Sequence, residues 1–130
     1  RDDYGDIVHG VFTEPDRWNG QTVWAVSHPM TFKGVAETYN RVAGTDAARW
    51  VVPVDEVQAA TPEKAKEVGG VRRYVELVNG HYCGGKPTDQ RDALELKKKG
   101  VIARNRVGCN VELQTIEGFI RAYGFNNEDM

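Results

Sequence analysis

Apolar residues recur at helical spacing over the first twelve positions of the chain. They fall at positions i, i+3, i+4, i+7 and i+8, which together make one face of a helix: Tyr4, Ile7, Val8, Val11 and Phe12. Asp2 or Asp3 can cap the free amides at its start, and Pro15 ends it. The pattern predicts an amphipathic helix that buries this face.

The following segments predict a parallel β-α-β unit. Residues 22–27 are apolar on both faces, as is typical of a strand covered on two sides. Thr31 caps a second helix that ends at Gly44, and residues 48–54 predict a second strand. A strand, a helix and a strand with short connections normally form a right-handed parallel crossover. The expected fold is therefore α/β and helix-rich, with this small two-stranded unit followed by C-terminal helices.

The C-terminal half predicts helices joined by turns. Residues 61–63 (TPE) are a helix start, with proline at the first helical position. The glycine pair at 69–70 weakens that helix or breaks it in two, and Gly80 stops it. A short polar helix over residues 89–99 and another over residues 115–123 follow. The last helix is expected to bury Ile116, Phe119, Ile120 and Tyr123.

The three tryptophans are predicted core residues. Trp18 lies in the turn after the first helix, where its ring can hold the turn against the core. Trp24 and Trp50 belong to the two predicted strands, and we expect both to be buried.

Size and charge fit one globular domain over residues 1–130. A chain of 130 residues with 40% hydrophobic content is long enough for one core. Its 17 Lys plus Arg and 19 Asp plus Glu give a net charge of −2, which argues against a nucleic-acid partner, since such binding needs a basic stripe. The one basic run, residues 97–99, precedes Gly100 and predicts the carbonyl end of a helix.

The sequence also gives an expectation for the cellular compartment of the protein. No apolar run approaches the ~18–20 residues of a transmembrane helix, so no membrane partner is expected. The 2 cysteines form no C-x-x-C pair and need no disulfide framework, which favours a reduced, cytoplasmic location.

Motifs for a cofactor, a metal or a catalytic group are absent from the sequence. A Rossmann site needs a glycine-rich turn between a strand and a helix, and the 14 glycines provide none. Residues 82–86 match the Tyr-x-x-x-Lys spacing of short-chain dehydrogenases, but their glycines and Pro87 argue against the helix that gives this spacing meaning. His81 and Cys83 are too few to hold zinc. The sequence therefore assigns no catalytic residue.

Several positions agree in order and spacing with one known family. They are residues 3–8 (DYGDIV), residues 15–23 (PDRWNGQTV), Thr31, Val35, Ala36 and residues 42–44 (VAG). This order resembles the NmrA-like family of atypical short-chain dehydrogenases/reductases, at the point where their Rossmann half gives way to the substrate-side half. The resemblance covers residues 3–54, and the later helices in outline. It implies the substrate-binding portion of an NAD(P)-dependent oxidoreductase or redox-sensing regulator, with NAD(P) bound only if a Rossmann half precedes it.

The topology and the resemblance together predict a pocket. Ligands of α/β folds gather at the C-terminal ends of parallel strands, where His28 follows the first predicted strand. In the family, the segment after the long helix often lines the substrate cleft, which implies that His81 and Tyr82 border the same pocket. We expect a mostly apolar pocket for a small hydrophobic molecule, and the alternative is three unrelated surface side chains.

Other classes of function remain open. The chain is either part of such an oxidoreductase, or a stand-alone isomerase or cyclase that acts on a hydrophobic metabolite without a cofactor, or an interaction module without chemistry. By itself it is expected to bind neither NAD(H) nor NADP(H). The flank of the first strand and the apolar face of the opening helix are expected to be covered, either in a homodimer or by a missing N-terminal Rossmann half.

Overall fold

The computed structural model describes residues 2–46, 53, 56, 59–81, 83–106 and 108–124. These residues form the helices α1 (Asp2–Thr13), α2 (Pro15–Trp18), α3 (Phe32–Ala43), α4 (Pro62–Leu77), α5 (Arg91–Ala103) and α6 (Ile116–Tyr123). The chain divides into two compact units. The first unit combines Arg1–Thr45 with Asp89–Met130, and the second is Asp46–Thr88.

Helices α1 and α5 form the centre of the first unit, and two glycines let their backbones meet. A Cβ atom on Gly10 would lie 2.2 Å from the carbonyl oxygen of Leu96, and one on Gly100 would lie 1.9 Å from the carbonyl oxygen of Asp6. Real Cβ atoms do not approach backbone this closely, so any larger residue would force the helices apart. Because Gly10 faces Leu96 and Asp6 faces Gly100, the two helices run antiparallel.

The hydrophobic core of the first unit lies around this crossing. Ile7, Trp18, Ala93 and Leu96 are its buried members, and partly buried side chains pack against them: Val11, Val23 and Leu113. The short helix α2 carries Trp18 onto this core, which confirms the role predicted for that side chain.

The buried face of α1 differs from the predicted apolar face. Tyr4 and Phe12 are 66% and 71% exposed, whereas Asp3 and Asp6 are buried beside Ile7. The spacing of apolar residues predicts the helix. The free-energy cost of burying an acid on that helix is offset only when another segment supplies a cation. Such partners cannot be deduced from the helix's own sequence, and both acids have them.

Helix α5 is longer and more central than the predicted polar helix. It runs from Arg91 to Ala103, through Gly100, so the basic run at residues 97–99 lies inside a helix and not at its end. The side chain of Lys97 is buried, as is that of Leu96. The prediction was wrong because Gly100 acts as a packing residue at the helix crossing and not as a stop signal.

The predicted parallel β-α-β unit is also wrong. The structure describes no β-strand in any of the ranges given above, and the described fold is helical. Residues 22–27 are irregular backbone without a strand partner in those ranges. The second predicted strand, residues 48–54 with Trp50, lies outside the described residues apart from Pro53.

The contacts of residues 22–27 explain this error. Val23 packs against the helical core, but Trp24 is 40% exposed and not buried as predicted. The carbonyl oxygens of Val26 and Ser27 accept hydrogen bonds of 3.1 and 2.7 Å from the side-chain amide of Gln90. A side chain thus satisfies backbone groups that a neighbouring strand would pair in a sheet.

Local capping signals were predicted correctly. The Thr31 hydroxyl accepts a hydrogen bond of 3.1 Å from the amide of Gly34 at the start of α3, and Gly44 ends that helix with a φ of 66°. At the start of α6, where a helix but no cap was predicted, the Thr115 hydroxyl accepts a hydrogen bond of 3.0 Å from the amide of Gly118. These caps fix the ends of two helices that pack against each other.

The second unit is built on α4. Its start is capped by Thr61, whose hydroxyl accepts from the amide of Lys64 at 3.2 Å, as the sequence predicts. The helix continues through the glycines at 69–70 without a break. Cys83 is buried in the turn that follows. None of the helices in the described part of the chain is both long and apolar enough to cross a membrane.

Candidate functional site

A cavity of about 640 Å³ opens in the first unit, a size typical of sites for small molecules. The first turn of α1, the end of the extended segment and the start of α6 surround it. Its lining residues are Asp2, Asp3, Ser27, His28, Gln114, Thr115, Ile116, Phe119 and Tyr123.

One face of α6 supplies the apolar wall of this cavity. Ile116, Phe119 and Tyr123 follow the helical period, and the ring centroids of Phe119 and Tyr123 are 5.1 Å apart with a tilt of 44°. Both rings were predicted to be buried, but they are 50% and 60% exposed. Ile120, on the neighbouring face, is the buried residue of this helix. The apolar residues of α6 therefore have two roles: Ile120 is buried in the unit, and the other three line the cavity.

His28 is fixed by the amino end of the same helix. Its Nδ1 accepts a hydrogen bond of 2.9 Å from the backbone amide of Ile116. This amide belongs to the first turn of α6, where backbone N–H groups have no partner inside the helix. An accepting Nδ1 carries no proton, so the neutral ring bears its proton on Nε2. Among the described residues, this Nε2–H has no hydrogen-bond partner.

Asp3 is the most constrained polar group at the cavity. Its carboxylate forms a buried ion pair with Lys97 of α5 and accepts a hydrogen bond of 2.6 Å from the backbone amide of Gln114. Burial raises the pKa of Asp3, but hydrogen bonds from Lys97, Ser27 and the Gln114 amide outweigh it and hold the pKa below its ordinary value. Asp3 is therefore ionised and committed to joining α1, α5 and the start of α6.

A second buried acid strengthens the same frame without reaching the cavity. Asp6 accepts hydrogen bonds of 3.0 Å from the guanidinium groups of both Arg104 and Arg106. The two arginines lie just after α5, so this cluster fixes the helix end to α1. Its role is structural, and the cavity lining does not include these three residues.

The predicted site residues lie in different parts of the chain. His28 lines the cavity, although residues 22–27 do not form the strand from whose end it was predicted. His81 is exposed and belongs to the second unit, and Tyr82 lies outside the described residues. The joint pocket of His28, His81 and Tyr82 thus stays a prediction.

Sequence reasoning missed the contribution of α6 to the site. The spacing of Ile116, Phe119 and Tyr123 was recognised, but an apolar stripe looks the same whether it faces a core or a cavity. The acidic start of α1 was read only as a cap. Within the residues that the structure describes, no group of three or more His, Cys, Asp or Glu side chains is placed to hold a metal ion.

Comparisons with known proteins show similarity to NmrA-like oxidoreductases. No protein-family model matches the chain. The oxidoreductase lnbB of Aspergillus flavus, described as NmrA-like family domain-containing, is 29% identical over 119 residues, which are 92% of this chain and 36% of the relative. The similarly described cpsB of Aspergillus campestris is 31% identical over 126 residues, which are 92% of this chain and 36% of the relative. The himF oxidoreductase of Aspergillus japonicus is 32% identical over 124 residues, which are 92% of this chain and 37% of the relative.

The chain is similar to NmrA-like oxidoreductases, the family that the order of residues 3–44 predicts. The similarity extends over 92% of the chain and so reaches well beyond the segment in which the motif was recognised. The chain spans little more than a third of the length of these curated relatives, 36–37%.

Proposed function

We propose that the chain is the substrate-binding portion of an NmrA-like oxidoreductase and that the cavity beside α6 receives the substrate. The observation that carries this proposal is the cavity wall. Phe119 and Tyr123 present aromatic surface to a space of about 640 Å³, and His28 lies beside them with one ring nitrogen fixed by the protein. An apolar cavity with a few oriented polar groups is the usual form of a small-molecule site.

The proposed substrate is a small, mostly hydrophobic molecule. Ile116, Phe119 and Tyr123 offer it dispersion contacts and aromatic stacking. Asp3 helps to shape the cavity but contributes no free charge, because Lys97 neutralises it. Asp2 adds an exposed carboxylate to the lining, so the site disfavours an anionic ligand.

The nicotinamide cofactor implied by the family does not fit the residues of this chain. Pyrophosphate is usually held by a strand, a glycine-rich turn and the amino end of a helix. The described residues contain no strand, and the sequence has no such glycine motif. We therefore assign NAD(P) to another portion of the whole oxidoreductase and derive no step of the reaction through it. Calorimetric titration of the 130-residue chain with NADPH should give no heat of binding, and a micromolar dissociation constant would contradict this assignment.

The cavity can be tested with a simple aromatic probe. We expect acetophenone, titrated into the ¹⁵N-labelled chain, to shift the amide resonances of α6 and of His28 more than those of α4. Phe119→Ala should weaken binding about threefold or more, since it removes stacking and buried area from the cavity wall.

The matched control for this test is Phe32→Ala. Phe32 is also an exposed phenylalanine on a helix, at 75% exposure, but it does not line the cavity. It should leave probe binding unchanged. Equal losses in both variants, or no shifts on α6 at all, would argue against a substrate site there.

A further inference from the structure

The polar groups around the cavity are unequal in what they can offer a ligand. The Asp3 carboxylate is engaged by Lys97 and by the Gln114 amide, and the Thr115 hydroxyl accepts from the Gly118 amide. These groups already serve the fold. A ligand that displaced one of them would have to break an existing hydrogen bond.

His28 is the exception among the partly buried lining residues. Its Nδ1 is occupied by the Ile116 amide, and this bond leaves the ring proton on Nε2. The α6 backbone therefore determines which of the two nitrogens is the donor. The other lining residues that keep an uncommitted polar group or hydroxyl hydrogen are all exposed: Asp2, Gln114, Thr115 and Tyr123.

We propose that His28 is the specificity-determining residue of the cavity and that its Nε2–H donates a hydrogen bond to a carbonyl oxygen of the ligand. The preferred ligand is a small aromatic or apolar molecule that carries this carbonyl, with its ring against Phe119 and Tyr123. This inference rests on the proposed function and adds the chemical class of the ligand. The bond orients the carbonyl, and no proton is transferred.

A comparison of two probes of similar size tests the hydrogen bond. Acetophenone carries a carbonyl oxygen, and ethylbenzene has a methylene group in its place. In the unmodified chain, acetophenone should bind about three- to tenfold more tightly, the difference expected for one neutral hydrogen bond in a partly buried site. His28→Leu should reduce this preference to about onefold. His28→Gln, whose side-chain amide is again a donor, should restore part of it.

Nitrogen NMR of the unmodified chain provides a measurement that does not depend on any variant. Long-range ¹H–¹⁵N spectra should show His28 with an unprotonated Nδ1 and a protonated Nε2. Acetophenone should shift the Nε2 resonance, and ethylbenzene should not. This result is independent of whether His28→Leu folds.

The possible outcomes separate this inference from the proposed function. Equal binding of both probes at α6 would overturn the role of His28 and leave the cavity as a substrate site. A proton on Nδ1 would overturn it as well. Failure of both probes to bind would overturn the inference and the proposed function together.

Discussion

Asp3 sits at a position where an amphipathic helix normally carries an apolar side chain. Its cost of burial is offset by Lys97, which reaches it from α5, and both side chains are only 6% exposed. One ion pair thus joins α1 to α5, and its carboxylate forms part of the cavity wall. Lys97 lies far along the chain from Asp3, so this ion pair stabilises the protein only when the whole unit is folded.

Removing this charge should destabilise the first unit. Asp3→Asn leaves a buried ammonium without its counter-ion, and we expect a loss of about 3–5 kcal/mol in the free energy of unfolding. Urea denaturation followed by circular dichroism measures it. The control is Glu37→Gln, which breaks the exposed pair with Lys33 and should cost less than about 0.5 kcal/mol. Equal effects of the two substitutions would contradict a special role for Asp3.

The same ion pair gives a pH dependence with a defined sign. The pKa of Asp3 is lowered in the folded chain from its ordinary value of 3.8. Its contribution to stability is therefore complete above that ordinary value and is lost as the pH falls through the folded pKa. The stability difference between the unmodified chain and Asp3→Asn should be constant near neutral pH and shrink below about pH 4. A difference that grows on acidification would rule out this account.

At the scale of elements, close helix contact distinguishes glycines that look alike in the sequence. Gly100 lies against the backbone of Asp6, while a Cβ on Gly70, in α4, would meet no described atom within 4 Å outside its neighbours and its own helix backbone. Both lie inside helices, where glycine is the less favourable residue by roughly 0.5–1 kcal/mol relative to alanine. Packing must therefore decide the sign of a substitution.

Alanine at these two positions should act in opposite directions. Gly100→Ala inserts a methyl group into the α1–α5 crossing, and we expect it to lower the free energy of unfolding by about 1–3 kcal/mol or more. Gly70→Ala should raise the stability of α4 by about 0.5–1 kcal/mol. Native-state amide hydrogen exchange measures the stability of α5 and of α4 separately. Stabilisation of α5 by Gly100→Ala would disprove the close crossing.

Elements were predictable to the extent that their signals are local. Thr31, Thr61 and Thr115 each cap the helix that follows, and a few neighbouring residues suffice to recognise such a cap. The prediction of a strand at residues 22–27 was wrong because a strand needs a hydrogen-bonded partner strand, which the local sequence does not reveal. His28 was proposed from its place after residues 22–27, which do not form the predicted strand, and its bond to Ile116 joins residues 88 positions apart.

At the scale of the whole molecule, the exposed apolar side chains of the first unit need an explanation. Tyr4, Phe12 and Phe32 are each at least 66% exposed, although two of them lie on the helix that carries the central ion pairs. Contiguous apolar surface on a protein commonly marks an interaction site. Since the chain spans little more than a third of its relatives, either another portion of the protein or a second copy is a reasonable partner.

We predict that the chain by itself forms a homodimer through the exposed face of α1. Light scattering at high concentration should then give about twice the chain mass of 14.5 kDa. The double substitution Tyr4→Ser and Phe12→Ser removes the two large apolar side chains of that face and should return the mass to that of the monomer. Phe32→Ser, on α3, is the control and should leave the dimer intact. A monomer at every concentration would exclude self-association through α1.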